Sequence, residues 1–259
     1  MAAPRVLVVF DYDYSLVDVD SEIFMVQMLY PELLLEFQDT TMTWSELVKE
    51  VSRRLYVDRP HITADVIKTT AARVPVQRKM LDALRLAAES FGVEVKIVSD
   101  ANTVYIQSLL DHYELSAHVS EVVTNPARFD DDDGSGNGRR LRVDPHHPSD
   151  SEPHGCPHCP LNMCKGRILN EILQRKDPFA RVLYVGDGAG DFCPATRLSK
   201  NDMVFARQDD LEGGKSFELL AKINAHRDQV HASVVPWISG EDIYTRFHEF
   251  FKAQSAGMQ

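Results

Sequence analysis

The chain of 259 residues has no long apolar run. No stretch approaches the roughly 18 consecutive apolar residues that a membrane-spanning helix requires, so a membrane protein is not expected. Before the first acidic residue the apolar run is VLVVF, from Val6 to Phe10, which is too short to be the core of a signal peptide. These two absences predict a cytoplasmic protein.

Basic residues and cysteines are also scarce. Lysine and arginine number 28 against 39 aspartates and glutamates, which gives a formal net charge of −11. This charge disfavours a nucleic-acid backbone or an anionic membrane surface as the main partner. A small phosphorylated molecule would have to be held by a local metal ion and a few basic side chains. The four cysteines fit reduced thiols in a cytoplasmic protein.

Strand and helix patterns alternate along most of the chain. Apolar runs that end in polar or glycine-containing turns predict four buried strands, at residues 5–10, 93–99, 181–186 and 203–206. Helical patterns lie between these runs, as in PVQRKMLDALRLAAESFG, NTVYIQSLLDHY and CKGRILNEILQRK. Buried strands that alternate with helices predict an α/β protein with a Rossmann-like parallel sheet and helices on both faces.

Two segments interrupt this alternation. Residues 21–73 read as successive helices without a strand, which favours an inserted helical cap over simple crossover helices. We therefore expect a core formed by residues 1–17 and 75–259 and a cap formed by residues 18–74. Residues 128–155 are rich in Asp, Gly, Pro and Ser, and they predict a solvated, partly mobile loop rather than a metal site.

Four carboxylates follow two of the predicted strands. Asp11 and Asp13 come directly after the first strand, and Asp187 and Asp191 lie in the turn GDGAGD after the third. Side chains two residues apart on an extended chain point to the same face, so the first pair needs a positive partner. The carboxyl ends of parallel strands share one edge of a sheet, where ligands gather. The four acids therefore predict a Mg²⁺ site built from oxygen ligands.

A hydroxyl and an amine complete the set. Ser99 ends the second strand and Lys165 begins a helix. Taken alone, Ser99 is more simply interpreted as a turn or capping residue, and Lys165 as a lysine exposed to solvent. Together with acids that hold a metal ion, they are the components of phosphoryl transfer.

The order of these motifs resembles the haloacid dehalogenase superfamily of phosphatases. FDYDYSLVDVDSE, IVSDANT, HGCPHCPLNMCKG and YVGDGAGDFCP are similar to the branch that contains phosphoethanolamine/phosphocholine phosphatases, pyridoxal phosphate phosphatases and plant phosphate-starvation phosphatases. The resemblance extends from Val6 to about Phe251. The first and last motifs indicate the superfamily, while SDANT and CP-x-x-MCKG are specific to the branch.

The resemblance implies a role for each site residue. Asp11 would be the nucleophile that forms an aspartyl-phosphate, and Asp13 would be the general acid and then the base that activates water. The metal ion would be held by the Asp11 carboxylate, the backbone carbonyl of Asp13 and Asp187, with Asp191 as a ligand or a supporting anchor. Two further residues would contact the phosphate, Ser99 through a hydrogen bond and Lys165 through its charge.

The predicted function is Mg²⁺-dependent hydrolysis of a small phosphate monoester, with phosphocholine and phosphoethanolamine favoured. Pyridoxal phosphate, thiamine monophosphate and inorganic pyrophosphate remain alternatives, as do a non-catalytic phosphate-binding regulatory protein and phosphotransfer to an acceptor other than water. A cationic head group would need acids or aromatic faces in the cap. The cap sequence offers Asp18, Asp20, Glu22, Tyr30 and Trp44.

The cysteine-rich segment HGCPHCPLNMC allows a second metal. Cys156 and Cys159 have the C-x-x-C spacing of zinc sites, and Cys164 is close by. A second C-x-x-C pair is missing, so a loop of reduced thiols packed near the site is favoured over Zn²⁺. A disulfide between Cys156 and Cys159 is less expected still.

Overall fold

The computed structural model describes residues 5–38, 42–130, 140–148 and 154–256. Eight strands are formed by these residues: β1 Val6–Phe10, β2 Val93–Asn102, β3 Glu121–Asn125, β4 Ala127–Phe129, β5 Leu141–Val143, β6 Arg181–Gly186, β7 Met203–Arg207 and β8 Ser233–Trp237. The α-helices of the described part are α1 Ser21–Leu29, α2 Trp44–Asp58, α3 Ala64–Ala71, α4 Arg78–Glu89, α5 Thr103–His112, α6 Lys165–Leu173, α7 Phe192–Ala195, α8 Glu218–Ala225 and α9 Gly240–Ala256. None of the described helices combines the length and the apolar character that crossing a membrane would require.

Six strands form one parallel sheet in the order β3-β2-β1-β6-β7-β8. β1 is central, and its last residue Phe10 pairs with Ile97 of β2 and with Val185 of β6. The chain order reverses beside β1, because β2 and β3 extend the sheet on one side and β6 to β8 on the other. Such a switch point leaves a crevice at the carboxyl ends of the strands, which is where the site lies.

The central strand β1 is apolar and buried at every position, so both faces of the sheet are covered there. Side chains alternate along β1, so that Val8 and Phe10 join one apolar cluster while Leu7 and Val9 join the other. Helices α4 and α9 cover the first face, and α6 contributes to the second. This arrangement confirms the predicted Rossmann-like α/β fold and its four predicted strands.

Two strands of the sheet were missing from the sequence-based prediction. They are β3 and β8, and both lie at the edges of the sheet. Edge strands are partly exposed, so their apolar pattern is weak, and Pro236 within β8 is tolerated because no further strand pairs there. The sequence signal was therefore strong for central strands and weak for edges.

Helices α1, α2 and α3 lie between β1 and α4, as the sequence pattern predicts. Thr43 caps α2 in a reciprocal capping box with Glu46, which explains why a helix begins there. An apolar cluster of their own joins the three helices, with Leu141 of β5 and Tyr105 of α5 as further members. The boundaries of core and cap at residues 1–17, 18–74 and 75–259 stay a prediction.

The segment 128–155 is more ordered than predicted where the structure describes it. β4 and β5 form an antiparallel hairpin in which Phe129 pairs with Leu141. Leu141 is buried in the cluster of the cap helices, and this burial stabilises strand structure beside a polar, glycine-rich sequence. The expectation of a loop was thus wrong for the hairpin strands, while residues 131–139 and 149–153 lie outside the described residues.

Candidate active site

The site is assembled where β1, β2 and β6 end. The paired ends of these strands bring Asp11, Asp100 and Asp187 to one edge, and the Asp11 amide continues the sheet by donating to Val185 O at 2.9 Å. A cavity of about 290 Å³ opens there. It is lined by seven acidic residues and by Lys165, the one basic side chain among its described lining residues; the acids are Asp11, Asp13, Asp20, Glu22, Asp100, Asp187 and Asp191.

Three of these carboxylates form a tight cluster with one lysine. One oxygen from each of Asp11, Asp187 and Asp191 lies within 4.8 Å of the others, and all three residues are buried. The Lys165 Nζ atom lies 2.7 Å from Asp11 Oδ2 and 2.9 Å from Asp191 Oδ1. Burial, and then repulsion from Asp191, raise the pKa of Asp11 to about 7. The same two causes raise the pKa of Asp187 well above its usual value.

This cluster fits a divalent cation. Three buried carboxylates face a single ammonium group, so the site is short of positive charge. Hard oxygen ligands at the end of a strand are the donor set that Mg²⁺ prefers. The side chain of Asp13 is not part of the carboxylate cluster.

Asp191 has both of its oxygens occupied by the protein itself. Oδ1 accepts from Lys165 and from the Tyr184 hydroxyl at 2.7 Å, while Oδ2 accepts from the backbone amides of Asp187 and Gly188 at 3.0 and 3.2 Å. Although burial opposes ionisation, the charge of Lys165 and these hydrogen bonds hold the pKa of Asp191 below its usual value. This residue therefore orders the turn after β6. Gly186 makes room for it, since a Cβ there would lie 2.6 Å from the Asp191 carboxylate.

Asp13 sits in a tight turn that follows β1. Its Oδ1 accepts from the Ser21 amide at 3.0 Å, and burial together with the nearby Asp20 raises its pKa well above the usual value. The next residue, Tyr14, has a φ of 50°, in the left-handed region that non-glycine residues seldom adopt. The guanidinium of Arg207 donates to the Tyr14 carbonyl and thereby holds the turn in place.

Three of the remaining predicted residues, Ser99, Asp18 and Tyr30, are not among the residues that line the cavity. Ser99 is fully buried, its Oγ accepts from the Ala101 amide at 3.2 Å, and it is not among the residues that line the cavity. Asp18 is tied up in ion pairs with Arg207 and Lys215 at 2.6 and 2.9 Å, away from the cavity. The hydroxyl of Tyr30 is likewise bonded to another side chain.

Of the other cap residues proposed from the sequence, two reach the cavity. Asp20 and Glu22 do line the cavity. Glu22 accepts from Asn102 at 3.1 Å and from the Tyr105 hydroxyl at 3.3 Å, and burial raises its pKa to about 8. The side chain of Trp44 lies outside the described part of the structure.

A second cluster lies beside the carboxylates and contains all four cysteines of the chain. The sulfur atoms of Cys156, Cys159, Cys164 and Cys193 are all within 4.8 Å of one another, and all four are free thiols. The sequence-based argument against zinc was that a second C-x-x-C pair was missing. In the fold, Cys193 from the start of α7 joins Cys156, Cys159 and Cys164 without such a pair.

Comparisons with known proteins identify the family of this chain. Residues 6–250 match the model of the family described as "Putative Phosphatase". The chain belongs to this family. Inorganic pyrophosphatase 2 of Arabidopsis thaliana is 33% identical over 242 residues, which cover 92% of this chain and 81% of the relative. Pyridoxal phosphate phosphatase PHOSPHO2 of Mus musculus is 32% identical over 258 residues, or 96% and 99% of the two chains.

A solved structure confirms the fold of this phosphatase. The phospho-aspartyl intermediate analogue of phosphoserine phosphatase superposes with a TM-score of 0.54 at 12% identity and covers 95% of this chain and 99% of that one. The resemblance to the haloacid dehalogenase superfamily is confirmed, and the chain is a hydrolase of phosphate monoesters.

Two residues that contribute to the phosphatase site were not predicted from the sequence. Asp100 lies within the quoted motif IVSDANT, but its position directly after Ser99 gave no reason to assign it to the cavity. Arg207 is the last residue of β7, and that position at the carboxyl end of a strand was the available signal. A single basic residue after a strand is too common to be singled out from sequence.

Proposed function

We propose that this phosphatase hydrolyses a small phosphate monoester in a Mg²⁺-dependent reaction, with phosphocholine or phosphoethanolamine as the favoured substrate. The observation that carries the proposal is the charge of the cavity, whose described lining has seven acids and one lysine. Such a site needs positive charge from its ligands, which a divalent cation and a cationic head group both provide.

The phosphate would be handled by the carboxylate cluster. Asp11 and Asp187 would hold Mg²⁺, with Asp191 ordering the turn that presents Asp187, since its own oxygens are already engaged. When bound, Mg²⁺ neutralises the charge of the transferring phosphoryl group and orients it. Lys165, which contacts Asp11 at 2.7 Å, would move part of its contact to a phosphate oxygen as substrate enters. A hydrogen bond from the Ser99 hydroxyl would require the phosphate to reach past the described cavity lining, because Ser99 is buried behind it.

Two steps would complete the reaction. An Asp11 carboxylate oxygen attacks phosphorus, the bond from phosphorus to the leaving oxygen breaks, and that oxygen takes a proton from Asp13. The ionised Asp13 then removes a proton from water, whose oxygen attacks phosphorus and releases phosphate from Asp11. The raised pKa of Asp13 supports this role, because it favours the protonated carboxyl that the first step requires.

The leaving group would face the acids that the phosphate chemistry does not use. Asp20, Glu22 and Asp100 line the cavity without joining the carboxylate cluster. A quaternary or primary ammonium group is attracted to the ionised forms of these acids and would lower the raised pKa of Glu22 on binding, whereas the second phosphate of pyrophosphate is repelled by them. Pyridoxal phosphate and thiamine monophosphate stay as alternatives, and the relatives named for pyridoxal phosphate and pyrophosphate make both necessary members of a substrate panel.

The test is phosphate release from a panel that pairs charged and neutral leaving groups. Phosphocholine, phosphoethanolamine, pyridoxal phosphate, thiamine monophosphate, pyrophosphate and glycerol phosphate would be compared with Mg²⁺ and with EDTA. We expect the highest kcat/KM for the two ammonium esters and no turnover in EDTA. A preference for glycerol phosphate or pyrophosphate would contradict the assignment of the head group, and turnover in EDTA would contradict the metal requirement.

Variants of the head-group acids sharpen the test. Asp100→Asn and Glu22→Gln should each raise the KM for phosphocholine about tenfold, which corresponds to the loss of roughly 1.4 kcal/mol of binding. The KM for glycerol phosphate should change little. The matched control is Glu89→Gln, whose exposed carboxylate lies outside the cavity lining. Equal effects on both substrates would place these acids in a general structural role.

A further inference from the structure

The four cysteines are separated in sequence but converge on one point of the fold. Cys156 and Cys159 lie in the segment before α6, Cys164 caps α6, and Cys193 lies in α7. Cys193 Sγ is 3.6 Å from Cys156 Sγ and 3.9 Å from Cys164 Sγ. All four sulfur atoms lie within 4.8 Å of one another.

These separations match the edges of a metal-centred tetrahedron. A zinc–sulfur bond of about 2.3 Å places the sulfurs of a tetrahedral site about 3.8 Å apart. A disulfide would require about 2.05 Å between two sulfurs, so the cluster is not a pair of crosslinks. Soft sulfur ligands in tetrahedral arrangement are selective for Zn²⁺ or iron over Mg²⁺.

The surrounding groups support the sulfurs and do not compete with them. His154 accepts from the Cys156 amide at 3.0 Å through Nδ1, and its Nε2 is 2.9 Å from Pro160 O. His147 Nδ1 accepts from the Cys164 amide at 3.2 Å. The Arg167 amide donates to Cys164 Sγ at 3.4 Å, a contact that stabilises a thiolate. The imidazoles thus fix the backbone and leave the four sulfurs facing one another.

We propose that Cys156, Cys159, Cys164 and Cys193 bind one structural Zn²⁺ ion. Four protein ligands leave no open position, which is the property of a structural rather than a catalytic zinc site. Binding releases the protons of the thiols to solvent as the sulfurs become thiolates. The site is separate from the Mg²⁺ site, because its ligands are sulfur and the other cluster is built from oxygen.

The zinc ion would fix the relative position of two catalytic segments. Cys164 is adjacent to Lys165, and Cys193 follows Asp191 by two residues, while Lys165 and Asp191 contact each other at 2.9 Å. Gly166 allows this close approach, since a Cβ there would lie 2.3 Å from Cys193 Sγ. The ion would therefore join the start of α6 to the turn after β6 and hold the lysine beside its carboxylates.

The first experiment measures metal in the full-length protein purified without chelator. We expect about one zinc ion per chain by elemental analysis. After removal of zinc under reducing conditions, titration with Co²⁺ should give intense thiolate-to-cobalt charge-transfer bands and tetrahedral visible bands that saturate near one equivalent. These four are the only cysteines of the sequence, so such bands report on this cluster alone. Folded protein with neither zinc nor cobalt–thiolate bands would overturn the proposal.

Variants separate four-sulfur ligation from other arrangements. Cys193→Ser should lower the zinc content to about a tenth of an equivalent or less and weaken the cobalt bands. The control is His158→Ala, which removes the imidazole between Cys156 and Cys159 and should keep full zinc content. Loss of zinc in the histidine variant, or its retention in Cys193→Ser, would contradict the ligand set. The cobalt titration of the parent protein decides the matter if a variant fails to fold, and neither readout depends on phosphatase activity.

Discussion

The carboxylate cluster with Lys165, here called the oxygen cluster, and the sulfur cluster of the four cysteines share two segments of the chain. The start of α6 contributes Lys165 to one and Cys164 to the other, and the residues after β6 contribute Asp191 to one and Cys193 to the other. The oxygen cluster lines the cavity and includes the ammonium group of Lys165. The sulfur cluster consists of four thiols that face one another. Neighbouring residues can therefore serve catalysis in an open site with oxygen ligands or structural support in a closed site with sulfur ligands.

Helix geometry explains how adjacent residues reach different clusters. Successive side chains of a helix are turned by about 100° about its axis, given 3.6 residues per turn. Cys164 caps α6 and Lys165 begins it, so their side chains leave the backbone in different directions. One helix start can thus serve both clusters, and a change at one position should affect the two clusters unequally.

The largest effect that separates the clusters is expected from Lys165→Met. The variant keeps a long side chain but removes the cation that contacts Asp11 and Asp191, so kcat should fall by roughly 10²- to 10³-fold. Zinc content should stay at about one equivalent. Initial rates of phosphate release and elemental analysis check both statements, with the exposed Lys176→Met as control. Loss of zinc together with activity would show that the two clusters are not separable.

A smaller effect on the oxygen cluster is expected from Asp191→Asn. The amide nitrogen introduced would face either the backbone donors of Asp187 and Gly188 or the ammonium of Lys165, so the turn should loosen. Activity should fall by about 10- to 100-fold, with a higher Mg²⁺ concentration needed for half-maximal rate. A Mg²⁺ titration of activity measures this. An unchanged Mg²⁺ requirement would argue against Asp191 as the residue that orders Asp187.

Gly166→Ala should disturb the sulfur cluster first. The added Cβ would lie 2.3 Å from Cys193 Sγ, so either the sulfur or the helix must shift. We expect a loss of about 1–3 kcal/mol of stability and weaker zinc binding. Thermal unfolding and zinc content would be compared with Gly190→Ala, where a Cβ meets nothing within 4 Å. Equal unfolding temperatures and equal zinc contents of the two variants would mean that the contact between α6 and α7 can accommodate an added methyl group.

The smallest effect is a pH dependence that arises from Glu22 beside the oxygen cluster. Its pKa is raised by burial from 4.5 to about 8 in the folded protein. Between these pH values the folded state keeps a proton on Glu22 that the unfolded state releases. The contribution of Glu22 to the free energy of unfolding therefore falls as the pH rises from about 4.5 to 8. Glu22→Gln keeps hydrogen-bonding groups without this titration.

Unfolding temperatures measured across that pH range test the point. The parent should lose more of its melting temperature between pH 5 and 8 than Glu22→Gln does, because the proton that folding retains on Glu22 becomes progressively less favourable as the pH rises through that range. Parallel pH profiles for the two proteins would contradict a protonated Glu22 in the folded state.

Sequence alone grouped the acids of the oxygen cluster and three of the four cysteines, but it did not assign Cys193 to the sulfur cluster. Asp11 and Asp187 directly follow strongly apolar central strands, and parallel strands bring their carboxyl ends together, so the pairing of distant acids was predictable. Cys193 lies far along the chain from Cys164, and no motif spacing joins them. Their contact depends on α6 and the turn after β6 packing on the same face of the sheet, which only the folded chain reveals.

The orientation of the cap residues could not be predicted from the sequence either. Asp18 and Asp20 are two residues apart, yet Asp18 forms ion pairs with Arg207 and Lys215 while Asp20 lines the cavity. The unusual φ of Tyr14 redirects the chain just before them. Alternation on an extended chain would have placed the two acids on the same face, so local backbone geometry, and not composition, determines which acid lines the cavity.

The most direct test of the account is the rate of phosphate release by Asp11→Asn and by the parent, with the best ester of the panel and saturating Mg²⁺. Asp65→Asn, an exposed aspartate in the first turn of α3, is the matched control. The account predicts a fall in kcat of roughly 10⁴-fold or more for Asp11→Asn, with the control unchanged and the fold intact. An Asp11→Asn variant that releases phosphate at a rate near that of the parent would contradict the assignment of this carboxylate as the nucleophile.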